Sequence, residues 1–160
     1  MNEIIETIPV TSMVNCTICL ILPEYHYERT WPRKGVTIQV RKDALVNSFY
    51  QPGVEFMFKQ GMLYVEDKDT RVLLGLEGDE VEKELIKLDD KLLSRIVRLM
   101  PISEVKTTLD QLTPTQKQEV ARYAVANYGD LKMDRIELFK EALNIDIPKA
   151  VEMKKGFEGV

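Results

Sequence analysis

The chain has 160 residues, enough to bury a core without disulfide staples and short enough for one domain or two small ones. Hydrophobic residues make up 44% and charged residues 30%, which excludes a wholly disordered chain. With 22 basic and 26 acidic side chains the net charge is −4, so the whole-molecule field does not draw the protein to DNA or to an anionic membrane.

The opening, MNEIIETIPV, carries acid where a signal peptide needs base, and its apolar residues are interrupted, so no export signal is read there. The longest apolar run, Ile18 to Leu22, is far shorter than the roughly 20 residues of a membrane span. A soluble chain is expected, cytoplasmic in the producing cell.

From Ser12 to Leu22, Val14, Cys16, Ile18, Leu20 and Leu22 alternate with Met13, Asn15, Thr17, Cys19 and Ile21, a period of two that predicts one strand ended by Pro23. PRKG, residues 32–35, reads as a turn, and VTIQV, residues 36–40, as a second strand with Val36, Ile38 and Val40 inward. Asp43 is placed to cap a short helix from Ala44 to Tyr50, stopped by Gln51, Pro52 and Gly53. Val54, Met57 and Phe58 have helical spacing, with Gly61 as the C-terminal cap. Met62 to Asp67 then predicts a third strand, followed by a polar turn, DKDT.

After Leu76 the period changes to 3.6. Residues 77–90 hold seven acids and two lysines, and this stretch is read as the linker between an α+β domain, 1–77, and a helical domain, 78–160. Asp89 caps a helix carrying Leu92, Leu93, Ile96, Val97 and Met100, ended by Pro101. Val105, Leu109 and Leu112 mark a second helix. TPTQ, residues 113–116, has the form of a capping box with proline in the first turn, and predicts a helix to Tyr128 with Val120, Ala121, Ala124 and Tyr128 inward and Gly129 as a left-handed cap. A further helix carries Ile136, Phe139 and Leu143. Pro148 opens a last one to about Lys155, and GFEGV is expected to fray. The short joints favour antiparallel neighbours in a bundle.

Few residues offer chemistry. Cys16 and Cys19 form a C-x-x-C, but on an extended strand residues three apart face opposite ways, so both are read as small apolar fillers of a half-buried strand and not as a metal or redox pair. One histidine, His26, leaves no histidine-based triad to assemble, and no phosphate-binding glycine loop is present. Glu66, Asp67 and Asp69 lack the glycine and distal glutamate of a calcium loop and read as a solvated turn. No catalytic residue, cofactor or metal is therefore expected.

The segment EYHYERTWPRKG interleaves Tyr25, Tyr27 and Trp31 with Arg29, Arg33 and Lys34. Such a mixture suits a protein interface, where Trp, Tyr and Arg dominate binding energy. It also suits stacking on single-stranded bases, and it is equally what would cover the end of a sheet. These six residues are the expected partner-binding set, with other proteins in a multi-subunit assembly as the expected partners and nucleic acid as the alternative.

Two resemblances bear on function. Residues 29–67, from RTWPRKG through the Gln-Pro-Gly break to GMLYVED, resemble small accessory proteins of tailed bacteriophages, which implies a virion component or assembly partner that works by docking. Residues 131–155, LKMDRIELFKEALNIDIP onward, resemble the helix, extended turn, helix pattern of SAP and LEM-like modules, which implies a DNA or protein partner. There Lys132, Arg135 and Lys140 are offset by Asp130, Asp134, Glu137 and Glu141.

Overall fold

The computed structural model describes residues 5–158, and it has an α+β fold, with the strands in the first half and helices alone in the second. The chain divides between Lys87 and Leu88 into two compact units.

The first unit is built on β1 (Thr7–Ser12), the centre of an antiparallel sheet of order β4-β1-β5, with β4 at Thr37–Arg41 and β5 at Leu63–Val65. β1 aligns Val10 with Ile38 on one side and with Val65 on the other. A proline in a central strand is unusual because it has no N–H to give to the ladder. At Pro9 the loss is absorbed locally. The Pro9 carbonyl still accepts from Glu66 N–H at 3.0 Å, while the Glu66 carbonyl, which a proton at position 9 would have bonded, accepts from Arg71 Nη1 at 2.9 Å.

β2 (Ile18–Leu22) and β3 (Tyr27–Trp31) form a separate hairpin with Leu20 opposite Arg29. The single strand expected over Ser12 to Leu22 is thus two. Met13 and Val14 are buried where the chain leaves the first sheet, Met13 N–H donating to Met62 C=O at 2.9 Å, and Asn15 to Thr17 cross exposed before β2 begins. Trp31 locks the hairpin to the sheet: it has no exposed surface, and its Nε1 donates to Val10 C=O at 2.9 Å. Val10, Leu20, Leu22, Val40, Leu45, Phe58 and Leu63 complete a core from which water is excluded.

Three helices border these strands: α1 (Lys42–Ser48), α2 (Pro52–Lys59) and α3 (Lys68–Leu73). Asp43 is not the cap of α1. That place falls to Arg41, and Asp43 sits in the first turn. Pro52 opens α2, since its fixed φ suits a first turn, and Gly61 at φ +80 closes it. DKDT, read as a solvated turn, starts a helix, because the Asp67 carboxylate accepts from both Thr70 N–H and Thr70 Oγ1. The acidic stretch folds back on this unit. Leu85 N–H donates to Leu76 C=O, and Lys87 pairs with Glu66 at 2.9 Å while lying over the Tyr64 ring.

The second unit starts at α4 (Asp90–Ser94), capped by Asp89, which accepts from Leu92 N–H at 2.9 Å. It runs straight into a π-helical turn, Arg95–Leu99, closed by Met100 N–H on Arg95 C=O at 2.7 Å. Arg135 reaches in from α7 (Met133–Leu143), where it is 5% exposed, and donates to the carbonyls of Ile96 and Met100. A buried guanidinium so placed satisfies helix-end acceptors and meets the negative end of the dipole.

α5 (Ile102–Gln111) buries Val105 and Leu109, and α6 (Pro114–Ala126) opens with the expected capping box, Thr113 and Gln116 each bonding the other's backbone N–H. α6 packs on α7 and on α8 (Ile147–Glu158), and α5 on α7. Three expectations change here. Gly129 is not left-handed but sits in a 3-10 turn, Tyr128–Asp130, and Tyr128 is exposed because α6 has already ended at Ala126. The left-handed terminator is Asn144, φ +53, after α7. α8 continues past Lys155 to Glu158, while Gly159 and Val160 of the segment expected to fray lie outside the described residues.

Candidate docking surface

The aromatic and basic residues of 25–34 span a 3-10 turn, a strand and the turn that follows it. Pro23 to Tyr25 make a 3-10 turn, and His26 takes the left-handed conformation, φ +49, that reverses the chain into β3. Along β3 the side chains alternate. Tyr27, Arg29 and Trp31 share one face, and Glu28 and Thr30 the other.

Trp31 points into the core and has no surface to offer a partner, so it is removed from the expected set. The other two turn to the outer edge of β4. Tyr27 Oη donates to Gln39 C=O at 3.4 Å and accepts from Arg41 N–H at 3.2 Å, and Arg29 Nε points at the same Gln39 carbonyl at 3.4 Å. The Arg29 guanidinium lies over the Tyr27 ring, 4.7 Å from its centre.

Arg41 repeats this arrangement over the Tyr25 ring at 5.5 Å, and α1 contributes Asn47, whose Nδ2 donates to Tyr25 Oη at 2.7 Å. Tyr50, 66% exposed, donates to Glu24 at 2.8 Å and extends the aromatic row. Arg33 and Lys34 do not join it. They follow the far end of β3, which at the usual strand rise is about 13 Å long from Tyr27 to Trp31.

Beside this ridge lies a cleft of about 640 Å³, lined by Arg41, Lys42, Asp43, Asn47, Glu6 and the apolar Ile5, Val46 and Leu73. Ile5 and Leu73 are 56% and 61% exposed, an apolar rim on a charged bowl. The charges are matched. Arg41 grips Asp43 with two bonds, 3.1 and 2.7 Å, and Lys42 pairs with Glu6 at 3.5 Å. The Arg41 bonds hold the Asp43 carboxyl below its ordinary range. Matched charge of this kind gives little attraction for a polyanion and suits a mixed polar and apolar partner.

Asn47, Arg41 and Gln39 are residues of this candidate surface that reading the sequence missed. Nothing local marks them; they join the site because β3 crosses the β4 edge.

Cys16 and Cys19 are both exposed free thiols, not core fillers. Cys16 falls in the crossing segment, so the strand alternation that was to separate them does not apply, and Cys19 lies on the outer face of β2 with Sγ 3.4 Å from Thr30 Oγ1. Among the described residues no group of three or more His, Cys, Asp or Glu side chains could hold a metal ion, and no helix is long and apolar enough to cross a membrane.

In the second unit two arginines, Arg98 and Arg135, are spent on the fold. Arg98 bonds Ser94, Tyr123, Asn127 and Asp130, all within 3.0 Å. Arg135, which the SAP-like reading counted with Lys132 and Lys140, is buried under the helix end that it caps.

Comparison of the chain with family models, with curated proteins and with solved structures returned no match.

Proposed function

We propose that the protein acts by binding and not by catalysis, docking a protein partner on the ridge of Tyr25, Tyr27, Arg29 and Arg41 and the cleft beside it. The observation that carries this reading is the pair of arginine-over-tyrosine stacks, 4.7 and 5.5 Å, next to an apolar rim of Ile5 and Leu73. Stacked arginines and tyrosines present large, rigid contact area whose ordering cost is already met in the folded chain, which is what binding hot spots require. A multi-subunit assembly is the expected setting. The resemblance of residues 29–67 to accessory proteins of tailed phages suggests a virion or its assembly.

The alternative partner is single-stranded nucleic acid, for which the two stacks would serve as platforms. Salt separates the two, because phosphate contacts weaken steeply with ionic strength and an apolar contact does not. The test is recovery of partners from the native source with the wild type and with Arg29→Glu. A protein retained at high salt by the wild type and lost by the variant supports docking, and nucleic acid released by salt supports the alternative.

A further inference from the structure

Core packing does not hold the stretch that joins the two units. Leu76 is the last residue of the first unit's buried core, and the next buried residue, Leu88, belongs to the second unit. None of residues 77–87 is buried. They nonetheless fold back on the first unit and belong to it.

A short set of polar contacts fastens them. Glu77 pairs with Arg71 at 3.0 Å, and the Glu84 carboxylate accepts from Gly78 N–H at 3.2 Å, closing a loop over 77–84. Leu85 N–H donates to Leu76 C=O at 3.2 Å. At the far end Lys87 pairs with Glu66 at 2.9 Å and lies 5.1 Å from the centre of the Tyr64 ring. The Lys87 and Glu66 side chains are 40% and 29% exposed, so water and salt weaken that pair.

Two features of the same loop oppose its closure. Glu77, Asp79, Glu80, Glu82 and Glu84 stand with a single lysine, Lys83, in residues 77–84, and closing the loop crowds their like charges. Gly78 must also take φ +124, a conformation that side-chain-bearing residues rarely adopt. Half-exposed polar contacts set against repulsion and a demanding turn give the segment a low local stability, while the core beside it keeps its own.

We infer that residues 77–87 are a releasable strap, a device that sets the length of the tether between the two units. Closed, it ends the tether at Lys87. Opening breaks the Leu85 and Lys87 contacts, leaves the core intact as far as Leu76, and frees residues 77–87 to span up to about 40 Å. Tether length fixes the effective concentration of one unit beside the other, so the strap governs how readily both engage a single assembly. It uses none of the residues of the Tyr25 and Arg41 ridge, and either reading can fail without the other.

The experiment is hydrogen exchange of the full chain at neutral pH, read at the Leu85 and Val10 amides. The Leu85 amide should be protected, yet exchange about tenfold or more faster than Val10, through an opening that dilute urea does not promote. Lys87→Gln removes the charge and Gly78→Ala strains the closed turn, and each should speed Leu85 exchange about fivefold. Val10 exchange and the melting of Trp31 fluorescence should not change, and Lys87→Arg should keep the wild-type rate. Small-angle scattering should show a larger maximum dimension when Lys87→Gln and Gly78→Ala are combined. The inference is overturned by a wild-type Leu85 amide that is unprotected or exchanges only with the core, by a rate that either single variant leaves unchanged, by a Lys87→Arg chain as fast as Lys87→Gln, or by an unchanged maximum dimension.

Discussion

The hydroxyl of Tyr27 holds two backbone groups of β4 at once, donating to Gln39 C=O at 3.4 Å and accepting from Arg41 N–H at 3.2 Å. A side chain does here what a fourth strand would otherwise do. The edge of the sheet is closed, and Arg29 and Arg41 are brought onto their tyrosine rings by the same crossing.

Removing that hydroxyl should reopen the edge. Tyr27→Phe is expected to cost about 1 kcal/mol, the usual net worth of a hydrogen bond. Urea unfolding measures the cost, and hydrogen exchange locates it: the Arg41 amide should exchange faster, while the Val10 amide in the core strand should not.

Arg135 is the stronger structural test. Truncation to Ala leaves the Ile96 and Met100 carbonyls without their donor in a buried setting. A loss of about 2–3 kcal/mol is expected, the range for a buried bond to a charged group. Thermal unfolding followed through Tyr123, which lies in the same unit, should show it.

The capping box makes a smaller, local prediction. Thr113→Ala should destabilise α6 by about 1 kcal/mol, and Thr113→Asn should restore most of it. A comparison of melting points across the two variants checks this.

The pH dependence follows from Asp67. Its two bonds from Thr70 hold its carboxyl below the ordinary 3.8. A depressed folded value means that the group supports the fold at any pH above about 4, and that this support is lost as pH falls through the folded value. The start of α3 should therefore fray in acid before the core unfolds. Amide shifts of Thr70 in an acid titration measure it, and Asp67→Asn should flatten that response.

Much of the fold was legible because periodicity and capping are local. The capping box at Thr113, the Asp89 cap and the stripe of Val105, Leu109 and Leu112 are all written within a turn or two of chain. β1 was not legible, since Pro9 argues against a central strand unless Arg71, more than 60 residues on, is known to take the orphaned Glu66 carbonyl. Nor was the break after Ser12, because a segment crossing between sheets can keep an alternating pattern by chance. At the candidate surface, composition pointed to Tyr25, Tyr27 and Arg29. It could not separate them from Trp31, because whether an aromatic covers a core or a surface depends on which face of β3 meets the sheet.

The most direct measurement of whether the ridge is a docking site is photo-crosslinking from position 50, at its exposed end, in the producing cell. A benzoylphenylalanine in place of Tyr50 should give one or a few discrete protein adducts, lost when Arg29→Glu is added. Adducts to nucleic acid alone, or protein adducts that Arg29→Glu leaves unchanged, would contradict a role for these residues in docking a protein.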